Sequence, residues 1–248
     1  MKKILFILLI GALFGQVESN KLSSLMPGEK YKYDLYVDFI SLGPDLIKLG
    51  TATLSTEKIE LVNDKNAYHL KFSVKTSKVG DIIYKIRDVI NIWIDTKTLT
   101  VLKQTKKLRE GNLRREYVTI VNENKAITNG KEYMIPDNIY DPYALILMLK
   151  DEKIPVGESK KFKTIDSGKF REIEIMNIGS KTIRTPAGKF EAITYKPMNN
   201  GRSSLKNKGD IQVSYGKIND KVIPIKISLK LSRGVIVLKL KKSSDIVN

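Results

Sequence analysis

The chain of 248 residues contains no cysteine. That excludes thiol catalysis, thiolate-ligated zinc, iron–sulfur clusters and disulfide staples. It also excludes acylation on an N-terminal cysteine. Histidine occurs once, at His69. A histidine-built zinc centre needs at least one more such ligand, and a Ser-His-Asp triad would have to use this ring. Neither a P-loop nor a dinucleotide fingerprint occurs, and no calcium loop of the EF-hand type. Beyond residue 14 no apolar run approaches the ~20 residues that a spanning helix needs. No cofactor and no metal is expected.

The N-terminus carries the clearest positive signal. Lys2 and Lys3 precede an apolar run from Ile4 to Phe14, broken only by Gly11, and Val17-Glu18-Ser19 fits a cleavage site. This pattern predicts a secretory signal peptide over 1–19, with Gly15 as the alternative cleavage point, and one domain over 20–248. An exported destination, the periplasm, is the expectation. The formal charge is +17 at pH 7. In a cytoplasmic protein such an excess points to nucleic acid. Export argues against that partner and favours anionic lipid head groups, acidic glycans or an acidic protein. The lysines are scattered, so a solvated lysine-rich face that protects sheet edges is the plainer reading.

Alternation with period two dominates the rest. In Tyr68 to Lys75 every even residue is apolar and every odd one polar; Ile225 to Ser232 and Arg171 to Ile175 behave alike. Such segments put one face in a core and one in water, as antiparallel strands do. Further strands are expected over 30–39, 50–62, 82–95, 99–108, 114–121, 160–165, 181–185, 190–196, 211–215 and 235–241. Asn63-Asp64, Gly111-Asn112, Asn122-Glu123, Ser167-Gly168 and Pro186-Ala187-Gly188 supply turns. The fold class is therefore all-β and mainly antiparallel, a meander that closes into a barrel or a strongly curved sheet. One segment differs. Asp141 to Lys150 reads as a short helix, with Asp141 as N-cap and Pro142 at the first helical position. It is apolar nearly all round, so it should be buried as a plug or cover. The polar stretch 199–209 reads as a long hairpin connection.

The motifs and their order resemble the exported bacterial family catalogued as domain of unknown function 3108. The resemblance rests on Gly28-Glu29-Lys30-Tyr31-Lys32-Tyr33-Asp34, Gly50-Thr51-Ala52-Thr53-Leu54, Tyr84-Lys85-Ile86-Arg87-Asp88 and Asp95-Thr96-Lys97-Thr98-Leu99. It continues through Asp141-Pro142-Tyr143-Ala144-Leu145, Thr185-Pro186-Ala187-Gly188-Lys189-Phe190 and Val222-Ile223-Pro224-Ile225-Lys226-Ile227. It departs at Pro44 to Leu49, which looks inserted, and at Thr100-Val101, Tyr143 and Tyr215-Gly216. The resemblance implies an exported β-rich domain and no particular activity.

Candidate sites are few. His69 falls on the polar face of its strand. Asp34 with Asp38, Glu172 with Glu174, and Asp88 with Asp95 are carboxylate pairs of the kind glycosidases use, yet Glu172 and Glu174 alternate with Ile173 and Ile175 and should face water. Trp93 shares a face with Asn91 and Asp95 while Ile90, Ile92 and Ile94 take the other. It is the candidate ligand-binding residue, as a stacking platform or cavity lip, against the alternative of ordinary burial. The expected function is non-enzymatic: an envelope protein that binds a hydrophobic or amphipathic, anionic molecule. The alternatives are a module docking an envelope protein through an edge strand, and a cell-wall glycan hydrolase using Asp34, Asp88 or Asp141.

Overall fold

A computed structural model describes residues 25–38, 47–199, 202–203, 210–230 and 235–242. The expected signal peptide and most of the 199–209 connection lie outside these residues. The strands are β1 Lys30–Asp38, β2 Ile47–Val62, β3 Lys65–Thr76, β4 Arg87–Asp95, β5 Val101–Glu110, β6 Leu113–Asn122, β7 Lys125–Thr128 and β8 Lys131–Met134, then β9 Ser159–Asp166, β10 Lys169–Thr185, β11 Gly188–Asn199, β12 Arg202–Ser203, β13 Ile211–Ile218, β14 Lys221–Lys230 and β15 Val235–Leu240. Helix α1 spans Lys78–Tyr84, and α2, Leu145–Met148, runs on into a 3-10 turn over Leu149–Asp151.

All the paired strands are antiparallel, in the order β8-β7-β6-β5-β4-β3-β2-β1-β15-β14-β13-β11-β10-β9, with β12 alongside β11. The sheet is open and not a closed barrel: two meanders, β1 to β8 and β9 to β15, join where β1 pairs β15, and its two ends are β8 and β9. Turn chemistry sets the register. Asn63-Asp64 and Asn219-Asp220 take positive φ at both central positions, as two-residue hairpins of the right twist require. Bulges in β1/β2, β2/β3, β10/β11 and β13/β14 bend the strands and tighten the curl.

The concave face is the core. Tyr33, Leu54, Leu70, Phe72, Ile90, Ile92, Ile94, Ile225, Ile227 and Leu238 are all buried there, each on the apolar phase of its strand. Helix α2 sits inside the curl, as its composition requires. Leu145, Ile146, Leu147 and Met148 are buried, and the Tyr215 hydroxyl donates to the Ile146 carbonyl at 2.7 Å. Asp141 caps the entry: its Oδ1 accepts from the backbone N–H groups of Tyr143 (2.6 Å) and Ala144 (3.0 Å). The regular helix is shorter than the ten residues the sequence predicts, because Pro142 to Ala144 form a turn that the Asp141 cap holds.

Side chains and one strap complete what backbone pairing leaves open. The strap, residues 135–141, runs back across the gap: Val101 N–H donates to Ile139, and Tyr140 exchanges hydrogen bonds with Lys163 and Ile165 of β9. The Ser167-Gly168 turn packs on Thr128 and Tyr133 of β7 and β8. Two expectations change locally. The strand expected from Ile82 begins at Arg87, and residues 78–84 are helical because the Ser77 hydroxyl caps Gly80 N–H at 3.1 Å. β7 and β8, four residues each, are too short for alternation to register. No helix among the described residues is long and apolar enough to cross a membrane.

Candidate functional site

β5 places polar groups where β4 places aliphatic ones, Gln104 beside Ile92 and Lys106 beside Ile90. Its inward phase is Gln104, Lys106 and Leu108, and the Lys106 side chain is 1% exposed. A buried ammonium is costly unless partnered. Lys106 Nζ lies 2.6 Å from Asp166 Oδ1, at the end of β9, and 3.4 Å from Asp141 Oδ2, at the head of α2. It also sits 4.9 Å from the centroid of the Tyr143 ring. Gln104 Nε2 donates to Asp141 Oδ2 at 2.6 Å and to the Ile165 carbonyl at 2.9 Å. One polar cluster thus ties β5 to β9, far from it along the sheet, and to the entry of α2.

The electrostatics follow from burial and pairing. Burial works against the Lys106 charge, but Asp141 and Asp166 more than offset it and hold the ammonium above its ordinary range. Burial pushes the Asp141 carboxyl up, and Lys106 only partly counters this. Burial also acts on Asp166, but Lys106 and the Ser167 hydroxyl prevail and hold it below the usual carboxylate range. Asp141 has no access to water, whereas the Asp166 side chain is 40% exposed and faces a hollow.

That hollow is a cavity of about 250 Å³ inside the curl. Phe72, Val74, Ile90, Leu229 and Ile236 give it an apolar floor, and Lys106, Tyr143 and Asp166 form one wall. Arg115, Lys169 and Arg171 are exposed at its mouth, with Lys230 half-buried beside them. Its inner acids, Asp88 and Glu110, are buried, and Asp88 Oδ1 accepts from Arg109 N–H at 2.8 Å. The arrangement has a greasy interior and a cationic rim. Behind α2 lies a smaller apolar hollow of about 40 Å³, lined by Leu145, Ile146 and Leu149, with Asp166 and Arg171 common to both.

Trp93 lies elsewhere. It is half-buried on the convex face, outside the cavity. His69 stacks on it at 4.6 Å between centroids, Lys103 Nζ lies 4.9 Å over the ring, and the indole N–H donates to Glu60 at 2.6 Å. His69 and Lys103 come from the strands on either side, so the indole is flanked on both faces. The carboxylate pairs are dispersed. Glu172 faces water and pairs with Lys161 at 3.0 Å; Asp95 caps the turn at Lys97 and Thr98; Asp34 pairs with Lys48 at 2.8 Å. Among the described residues no group of three or more potential ligands is placed to hold a metal ion.

The cluster at Lys106 was not singled out from sequence, though a signal existed. After Leu102, neither face of Lys103 to Lys107 is apolar, so one polar phase has to face inward. From sequence Asp141 is a helix cap and one of three candidate hydrolase acids, and Asp166 only adjoins the Ser167-Gly168 turn; neither is tied to Lys106.

No curated protein and no solved structure matches the chain significantly. The profile of one family matches residues 32–241, nearly all of the ladder from β1 to β15. The chain therefore belongs to the family described as Protein of unknown function (DUF3108).

Proposed function

We propose that this protein is a non-enzymatic carrier or sensor, working outside the cytoplasm, that holds an anionic amphipathic molecule of the cell envelope within its curled sheet. The observation that carries the reading is the cavity of about 250 Å³ with an apolar floor of Phe72, Val74 and Ile90 and a mouth of Arg115, Lys169 and Arg171. Binding sites are typically apolar hollows with a few convergent polar groups, of ~300–1,000 Å³. This one lies just under that range, so it suits one short apolar chain with its head at the rim. The apolar part gains by leaving water, and the basic rim selects the charge of the head. Edge-strand docking has less support. The free edge of β8 is four residues long and carries Lys131 and Glu132, charges of the kind that discourage pairing, and the strap at Tyr140 bridges β9.

The test is organic extraction and native mass spectrometry of the purified protein, joined to titration with a fluorescent fatty acid. Ile90→Trp, which fills the floor, should weaken the probe at least about tenfold, the effect of ~1.4 kcal/mol. Lys169→Glu should weaken the fatty acid but not the matching fatty alcohol. Recovery of no bound molecule, together with a probe affinity that Ile90→Trp leaves unchanged, overturns the reading.

A further inference from the structure

Helix α1 carries the most exposed apolar side chain among the described residues, Ile82, with two more beside it. Ile82 is 86% exposed, Val79 64% and Ile83 45%, and Ile47, at the start of β2, adds 49%. Isolated exposed aliphatics are ordinary, but several together on one projection mark a contact surface. The helix is held rigidly in this pose. Ser77 caps it, Ser77 N–H donates to the Leu49 carbonyl at 2.7 Å, and Asp81 is clamped by Arg87 at 2.6 Å and by the Thr76 hydroxyl. Gly80 lies against β2 so closely that an added Cβ would stand 2.2 Å from the Leu49 carbonyl oxygen. The apolar side chains therefore point outward by construction.

The surroundings say what they meet. Lys75, Lys78 and Lys85 flank the helix and are exposed; Lys85 also acts on Asp81, which Arg87 already neutralises. The acids of this end are engaged or buried: Asp81 on Arg87, Asp88 and Glu110 inside. This is also the end at which the cavity opens. β3 ends there at Thr76, β4 starts at Arg87, and the β5/β6 hairpin turns at Gly111, whose N–H donates to the Lys85 carbonyl at 2.7 Å. Val74, Asp88, Glu110 and Arg115, the residues just inside those strand ends, line the cavity.

We infer that α1 is a membrane-contact tip, which seats on an anionic lipid bilayer with Val79, Ile82 and Ile83 in the headgroup boundary and so sets the cavity mouth against the lipid. An apolar wedge within a cationic ring is the arrangement by which interfacial helices hold anionic membranes. The purpose assigned to the tip rests on the amphiphile reading above; its binding to lipid does not.

The experiment is co-flotation of the intact protein with vesicles of phosphatidylglycerol and phosphatidylethanolamine, against pure phosphatidylcholine vesicles. Retention on the anionic vesicles alone is expected, falling as salt is raised to about 0.5 M. Ile82→Ser, at a site too exposed to affect folding, should lower retention about tenfold, and Lys75→Glu with Lys78→Glu should abolish it. Both variants should bind the soluble fatty-acid probe as the parent does. Equal retention on neutral vesicles, or an Ile82→Ser variant retained like the parent, overturns the assignment. So does loss of a dimer in Ile82→Ser by sedimentation velocity without vesicle binding, which would give the tip to a second copy. Vesicle retention with no probe binding removes the cavity reading and leaves the tip standing.

Discussion

Lys106→Met should be the most informative single change in the core. The methionine keeps most of the apolar stem but removes the ammonium that faces Asp141 at 3.4 Å and Asp166 at 2.6 Å. Asp141, 0% exposed, is left as a carboxylate with hydrogen-bond donors but no cation. Removing one partner of a buried pair costs ~3–5 kcal/mol. With a urea dependence of ~3 kcal/mol per molar for a domain of this size, the midpoint should fall by roughly 1–1.7 M. Trp93, the sole tryptophan, reports unfolding by fluorescence from β4, beside β5. Acid should narrow the gap. Without Lys106 the Asp141 carboxyl rises further, so the folded variant holds a proton more tightly than the unfolded chain does. It regains stability as the pH falls toward the unfolded carboxyl value near ~3.9. In the parent, Asp166 lies below its ordinary range, so its contribution is present above ~3.9 and is lost as the pH drops through the folded value. Both effects run the same way. Adding Asp141→Asn, which can still cap the helix, should restore most of the loss. A midpoint change worth under ~1 kcal/mol at neutral pH, with no convergence in acid, would refute the view that this cluster holds the curl together.

Two further changes test other parts of the fold. Gly80→Ala drives a methyl into the Leu49 carbonyl at 2.2 Å; it should dislodge α1 and speed hydrogen exchange over residues 77–86, leaving the ladder from β9 to β15 intact. Lys226 stands directly opposite Lys239 on β14 and β15, and burial, then Lys239, Lys181 and Lys196, hold its amine below the ordinary range. Its charge therefore works against folding, and stability should rise with pH as it deprotonates ahead of the unfolded chain. Lys226→Glu turns this repulsion into attraction and should stabilise by about 0.5–1 kcal/mol in thermal unfolding at pH 7.

The sheet was legible because its signal is local and repeated. Ile90, Ile92 and Ile94 alternate with Asn91 and Trp93, and the structure buries the first set. Turns such as Asn63-Asp64 declare their backbone by residue type. The helix at Asp141 could be read from its cap, its proline and its apolar girth. The cavity could not be read, since it depends on which distant strands face each other. Lys106 meets Asp166 across 60 positions of sequence, and no periodicity encodes that meeting. Helix α1 was missed for another reason. A short apolar run such as Ile82-Ile83-Tyr84 fits strand and helix equally, and the Gly80 contact that settles it comes from β2. Trp93 was singled out as a rare aromatic on a polar face, and the His69 and Lys103 neighbours that flank it come from adjoining strands.

The first strand, β1, has β15 as one of its two partners, Tyr33 meeting Leu240 and Asp38 meeting Val235. A nascent chain leaving the ribosome carries an unfinished seam until β15 appears. Contacts of such long sequence separation form slowly, so the seam can close only after β15 has been made. Until then the two halves of the sheet, β1 to β8 and β9 to β14, share no strand pairing, and this one seam makes them a single sheet.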